Sequence, residues 1–77
     1  MQDKDIISII KKMVEEEQRL YSKSELTDQE KTELNSIEVE LDQYWDLLRQ
    51  RRALREAGKD PDKAELRGSD TVENYEQ

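Results

Sequence analysis

Cysteine and histidine are both missing from this chain. Without cysteine there is no disulfide framework and no thiolate metal site to brace a small fold. Without histidine as well, the usual nucleophile–base pairs and most metal-ligand sets are excluded. Glycine occurs only at positions 58 and 68, so there is no glycine-rich phosphate loop. Long hydrophobic runs are missing too. The apolar cluster from Ile6 to Ile10 is too short and too charge-flanked for a signal peptide or a membrane span. Together these absences predict a soluble, cytoplasmic protein that is not an enzyme and needs neither metal nor cofactor.

Apolar residues are scarce: 32% of the 77 residues are hydrophobic and 43% are charged, against about 25% charged in an average soluble domain. Such a composition borders on the disordered class. Regular spacing of the few apolar residues argues for a fold instead. A chain this short buries only about 60% of the surface its unfolded state exposes, so a second subunit or a partner is expected to complete it.

The periodicity predicts an all-α protein, an antiparallel helical hairpin with helices at about 4–22 and 28–57. In the first helix Ile6, Ile9, Ile10, Met13, Leu20 and Tyr21 recur at helical spacing, flanked by Ile7 and Val14. Asp3 or Asp5 is expected to cap its start, where acidic side chains also suit the helix dipole. Thr27-x-x-Glu30 has the spacing of a capping box and opens the second helix. There Leu34, Ile37, Leu41, Tyr44 and Leu48 alternate by three and four, the spacing of a coiled-coil seam. Gly58 suits a left-handed C-terminal cap, and Asp60-Pro61 restarts a short helix through Leu66. The chain thus divides into a hairpin, 1–57, and a short helix with a tail, 58–77, that packs on or near it. The second helix is expected to pair with another copy, making a homodimeric bundle.

An acidic chain of net charge -7 nevertheless gathers four arginines, Arg49, Arg51, Arg52 and Arg55, at the end of the second helix. This +4 patch lies between stretches of -7 and -4. Folding the hairpin about residue 25 sets Asp3 and Asp5 beside Trp45 to Leu48 and leaves the arginine segment overhanging. Following the core face at 100° per residue brings Arg52 and Arg55 onto it, with Arg49 and Arg51 to either side. Leu47 and Leu54 form a second apolar line, expected at a subunit interface or under Val72 and Tyr75. Glu17 interrupts the apolar stripe of the first helix and is a further interface candidate.

Two uses of the arginines stay open. In one they are structural, cations suited to a helix C-terminus, with Asp60, Asp62, Glu65 or Asp70 of the tail, or groups of a second subunit, set on Arg52 and Arg55. In the other, Arg49, Arg51, Arg52 and Arg55 bind an acidic protein partner, a small anion or a nucleotide, with Tyr44 and Trp45 as stacking neighbours. Nucleic acid is the least favoured ligand, because four arginines without a surrounding basic face make a small footprint. Glu38, Asp42 and Asp46 share a helix face, but in a chain with 20 acidic residues such alignment arises readily.

The stretch IEVELDQYWDLLRQRRALREAGKDPDKA, with EEE upstream and VENYEQ at the end, resembles a bacterial family of short proteins, domain of unknown function 2630. The similarity extends over nearly the whole chain and is densest from Glu40 to Ala53. The resemblance implies a small helical cytoplasmic protein without an assigned activity. In the family's pattern a cysteine often precedes the tryptophan and a histidine often follows the glutamate run. This sequence has Tyr44 and Gln18 there, so no function requiring that thiol or imidazole is expected. The most favoured function is therefore that of a small interaction or adaptor protein, with anion binding through the arginine cluster as the alternative.

Overall fold

Local signals set where the two helices start and stop. In the computed structural model, which describes residues 1–68, α1 spans Asp3–Tyr21 and α2 spans Asp28–Glu56, followed by a single 3-10 turn at Pro61–Lys63. The capping residue of α1 is Gln2 and not Asp3 or Asp5, which lie within the first turn; the Gln2 backbone N–H donates to the Asp5 carboxylate at 2.9 Å. The Thr27 capping box forms in both directions: Glu30 N–H donates to the Thr27 hydroxyl at 3.1 Å, and Thr27 N–H to the Glu30 carboxylate at 3.0 Å. Lys23 also donates to Glu30. With that ammonium first and the Thr27 amide next, the Glu30 carboxyl is held down to about 2.

At the far end of α2 the backbone closes in a Schellman motif. Lys59 N–H donates to Leu54 C=O at 2.7 Å and Gly58 N–H to Arg55 C=O at 3.1 Å, with Gly58 at φ 73°. Asp60 then caps the 3-10 turn by accepting from Asp62 N–H at 2.9 Å. The expected short helix through Leu66 does not form. After Lys63 the chain is non-helical, because its polar groups find partners on α2 instead of on one another.

The helices pack antiparallel around Ile6, Ile10, Leu41 and Leu47, with Met13, Val14, Ile37, Tyr44, Leu48 and Ala64 packed against them. Leu20 is buried as well. The register differs from a fold about residue 25. The Tyr21 hydroxyl donates to Glu38, well inside α2, and Asp3 reaches Arg51 and Arg55. The connection runs on past the end of α1 before α2 turns back, so the first turns of α2 overhang, while the arginine segment lies beside the N-terminus of α1.

Beyond the 3-10 turn, residues 64–67 lie along α2 as a strap. Gln50 clamps its backbone, donating to Glu65 C=O at 2.7 Å and accepting from Glu65 N–H at 3.3 Å. Gln43 donates to Arg67 C=O at 3.1 Å. Asp46, 3% exposed, accepts from Gln50 at 2.9 Å and pairs with the Arg67 guanidinium at 3.3 Å. Val72, Tyr75 and Asp70, expected to cover Leu47, Leu54 and the arginines, lie outside the described residues. No helix among the described residues is long and apolar enough to cross a membrane.

Gly58 tests the helix terminus in isolation. A β-carbon placed there meets nothing within 4 Å, so Gly58→Ala carries only the left-handed backbone penalty of about 1 kcal/mol. Thermal denaturation should show a melting temperature lower by about 4–8 °C, with the helical circular dichroism of the native state unchanged.

Candidate functional site

The four arginines separate into an inner and an outer pair. Arg51 is 6% exposed, and its guanidinium donates to Asp3 Oδ1 at 2.5 Å, to Asp62 Oδ1 at 2.9 Å and to Pro61 C=O at 3.2 Å. Arg55 donates to the other Asp3 oxygen at 2.6 Å. A buried cation is tolerable only when paired and hydrogen-bonded, and here the N-terminus of α1 and the tail turn both supply that pairing. The contacts are reflected in the acidities. Asp3 is held below its usual 3.8 by Arg55 first and Arg51 next, and Asp62 is lowered by Arg51. The Arg51 pKa is raised by Asp3 and then Asp62.

This corrects the expected assignment of faces. Arg51, not Arg52, continues the core face with Arg55, and Asp62 of the tail meets Arg51, not Arg52 or Arg55. Arg52 is exposed and reaches only Glu56, one turn along the same helix, at 3.3 Å. Arg49 is exposed and engages in no ion pair among the described residues.

The outer pair borders a shallow cavity of about 270 Å³ lined by Asp3, Trp45, Leu48, Arg49, Arg52 and Arg55. Trp45 is 47% exposed. On its other side lies a second groove, about 430 Å³, lined by Val14, Glu17, Glu38, Leu41, Asp42 and Trp45. Trp45 is thus the wall between a cationic and an anionic depression along one side of the hairpin. Glu38 on the anionic side accepts from Tyr21, whose phenol is pushed up in pKa mainly by that hydrogen bond. The three carboxylates do not make a metal centre: among the described residues no group of three or more acidic side chains could hold an ion.

The structure therefore brings Trp45, Arg49, Arg52 and Arg55 together. Tyr44 is half-buried against the core, apart from the cavity, and Arg51 is occupied in the clamp. Of the three interface candidates, Leu47 is buried inside the hairpin's own core. Leu54 is half-buried and lines a cavity with Gln50, Ala53, Ala57, Lys59, Lys63 and Arg67. Glu17 lines the anionic groove.

Sequence reasoning missed Asp3 as the bridge between two arginines, because Asp3 fitted a helix-dipole role equally well. It also missed Asp46 and Gln50. Their four-residue spacing on one face, with opposite hydrogen-bonding character, was the available signal.

The clamp has a pH signature. Carboxyls whose folded pKa is depressed contribute stability that is full above their unfolded values, about 4, and is lost as pH falls through the folded values. Asp3→Asn should lower the melting temperature by several degrees at pH 7. The gap from the parent chain should stay constant down to about pH 4 and close below it, as Asp3 itself becomes neutral. Thermal melts of both proteins from pH 7 to pH 2 check this.

Comparison with known sequences places the chain in a group without assigned activity. An uncharacterized protein of Mycobacterium tuberculosis and an uncharacterized protein of Mycobacterium bovis are each 44% identical to it over 77 residues, covering 95% of this chain and 88% of the relative. No solved structure matches significantly. The match to the family described as protein of unknown function DUF2630 runs over residues 2–77, and the chain belongs to that bacterial family.

Proposed function

We propose that this chain is a small non-enzymatic interaction protein whose working surface is the open side of α2 centred on Trp45. A single observation carries this reading. The only tryptophan stands 47% exposed between Arg49 and Arg52 on one side and Glu38 and Asp42 on the other. A large aromatic left half in solvent within a rim of charge is the usual composition of an interface hot spot. Arg51 is withheld from this surface by its Asp3 and Asp62 contacts, and Arg55, which lines the cavity beside Trp45, is already paired with Asp3.

The cavity beside Trp45 favours a second reading, a small anion or nucleotide held by Arg49, Arg52 and Arg55. Against it, Asp3 lines the same cavity and already occupies Arg55. An incoming anion would face a carboxylate at the floor of its own site.

Site-specific photocrosslinking separates these readings. With photoreactive benzoylphenylalanine in place of Trp45, irradiation of producing cells should give discrete protein adducts. The same probe in place of exposed Lys12 should give none of them. Arg49→Glu with Arg52→Glu should abolish the adducts. Adducts no different from the Lys12 control, together with quenching of Trp45 fluorescence by nucleotides, would favour the anion reading instead.

A further inference from the structure

The open side of α2 carries an ordered run of charge. Glu38, Asp42, Trp45, Arg49 and Arg52 follow one another at intervals of four, three, four and three residues, so at 100° per residue all five lie in a single narrow stripe. From end to end the stripe covers about 21 Å of helix. α1 packs on one neighbouring face of α2 and the strap on another. The stripe runs along the edge of the α1 face: Trp45, Arg49 and Arg52 are exposed, Glu38 and Asp42 are half-buried beside α1, and the two grooves flanking Trp45 lie along it.

The order of the charges selects the occupant. Glu38 precedes Trp45 by the same seven residues by which Arg52 follows it, and Asp42 and Arg49 lie three and four residues away. Turned by 180° about an axis through Trp45, the acidic half falls on the basic half. An isologous dimer requires this of its contact surface. An acidic partner of another kind would match only the arginine half and would be repelled by Glu38 and Asp42. The chain as a whole has a net charge of -7, which opposes self-association. The stripe itself is neutral, with two carboxylates and two guanidinium groups. Neither Asp42 nor Arg49 has an ion-pair partner among the described residues.

We propose that two copies of this chain pair antiparallel through the open stripe of α2, about a two-fold axis at Trp45. Each copy sets Arg52 against the partner's Glu38 and Arg49 against the partner's Asp42, and the two indole rings meet at the axis. This rests on the Trp45 side being an interaction surface and names what it binds. With helix axes 8–10 Å apart, as in ordinary helix packing, side chains of this length span the gap. The charged pairs lie at the rim and set orientation and register, as e and g positions do in coiled coils. A contact this short makes a concentration-dependent dimer that weakens with salt.

Light scattering after size exclusion, on the purified full chain over a range of concentrations, tests the proposal. The mass should rise from that of one chain, 9.2 kDa, towards twice that value, and the Trp45 emission should shift to the blue in parallel. Arg49→Glu with Arg52→Glu makes one stripe all acidic, and Glu38→Arg with Asp42→Arg makes another all basic. Alone, each should raise the dissociation constant by at least about 100-fold. Mixed in equal amounts, they should recover the double mass. If the Glu38 change disturbs folding through Tyr21, as circular dichroism will show, Arg49→Asp and Asp42→Arg as single variants make the same comparison. Three results overturn the proposal: a parent chain of single mass at every concentration, a dimer indifferent to these changes, or mixed variants that fail to pair. If single mass is found while the Trp45 photoadducts in cells persist at another mass, self-pairing is overturned and the interaction reading stands.

Discussion

The guanidinium of Arg51 is the point at which the three parts of this chain meet. It comes from α2, donates to one carboxylate at the start of α1 and to another in the turn after α2, and is all but enclosed. The apolar core is small: Ile6, Ile10, Leu20, Leu41 and Leu47 are its only buried hydrophobic members among the described residues. A core of that size leaves little margin over chain entropy. The clamp does not replace it, because an ion pair taken out of water gains little beyond what its desolvation costs. What it supplies is direction. Any register of the hairpin that separates Arg51 from Asp3 leaves that guanidinium with Asp62 as its one carboxylate partner and Asp3 without either arginine, so the clamp penalises alternatives more than it stabilises the native arrangement.

That division explains which parts of the fold were legible in advance. Helix ends are set by neighbours in the chain, and the Thr27–Glu30 box, the Gly58 cap and the Asp60-Pro61 turn all form where their residues predict. Register is set by pairs far apart in sequence, and there the reading failed. A hairpin folded about residue 25 assumes that the connection doubles back at once, yet Tyr21 meets Glu38. The result left the arginine segment apparently uncovered when Asp3 in fact lies on it. The seam held the correction. Leu34, Ile37, Leu41, Tyr44 and Leu48 step by three and four in strict alternation, and two more steps arrive at Arg51 and Arg55. Stepping by four from Leu48 to Arg52 broke the alternation and exchanged an inner arginine for an outer one.

The strap was hidden for a different reason. A helix was expected through Leu66 because Asp60-Pro61 is a sound start, and a start says nothing about length. Isolated turns of helix are costly to nucleate, and three residues on α2 offered the following segment better bonds. Gln43 and Gln50 take its carbonyls and an amide, Asp46 takes Arg67, and Ala64 joins the core. These polar residues occupy the side of α2 opposite Trp45, which is why that helix shows a clean apolar stripe on only one face.

Four arginines in seven residues therefore do not form one patch. Helical geometry brings Arg51 and Arg55 to Asp3 and leaves Arg49 and Arg52 beside Trp45 without a carboxylate from α1, with Arg55 at the border of the two groups. Internal neutralisation of the first pair removes most of the unpaired positive charge from the end of α2. Had all four remained unpaired, the end of α2 would carry an excess of positive charge able to attract any anion, nucleic acid included. With two removed, the remaining two are balanced on the same face by Glu38 and Asp42, and long-range attraction to anions largely cancels. In the proposed pairing, discrimination then depends on the order of charges along the helix and not on their sum, and the partner it calls for is one with the matching order over the same length of helix.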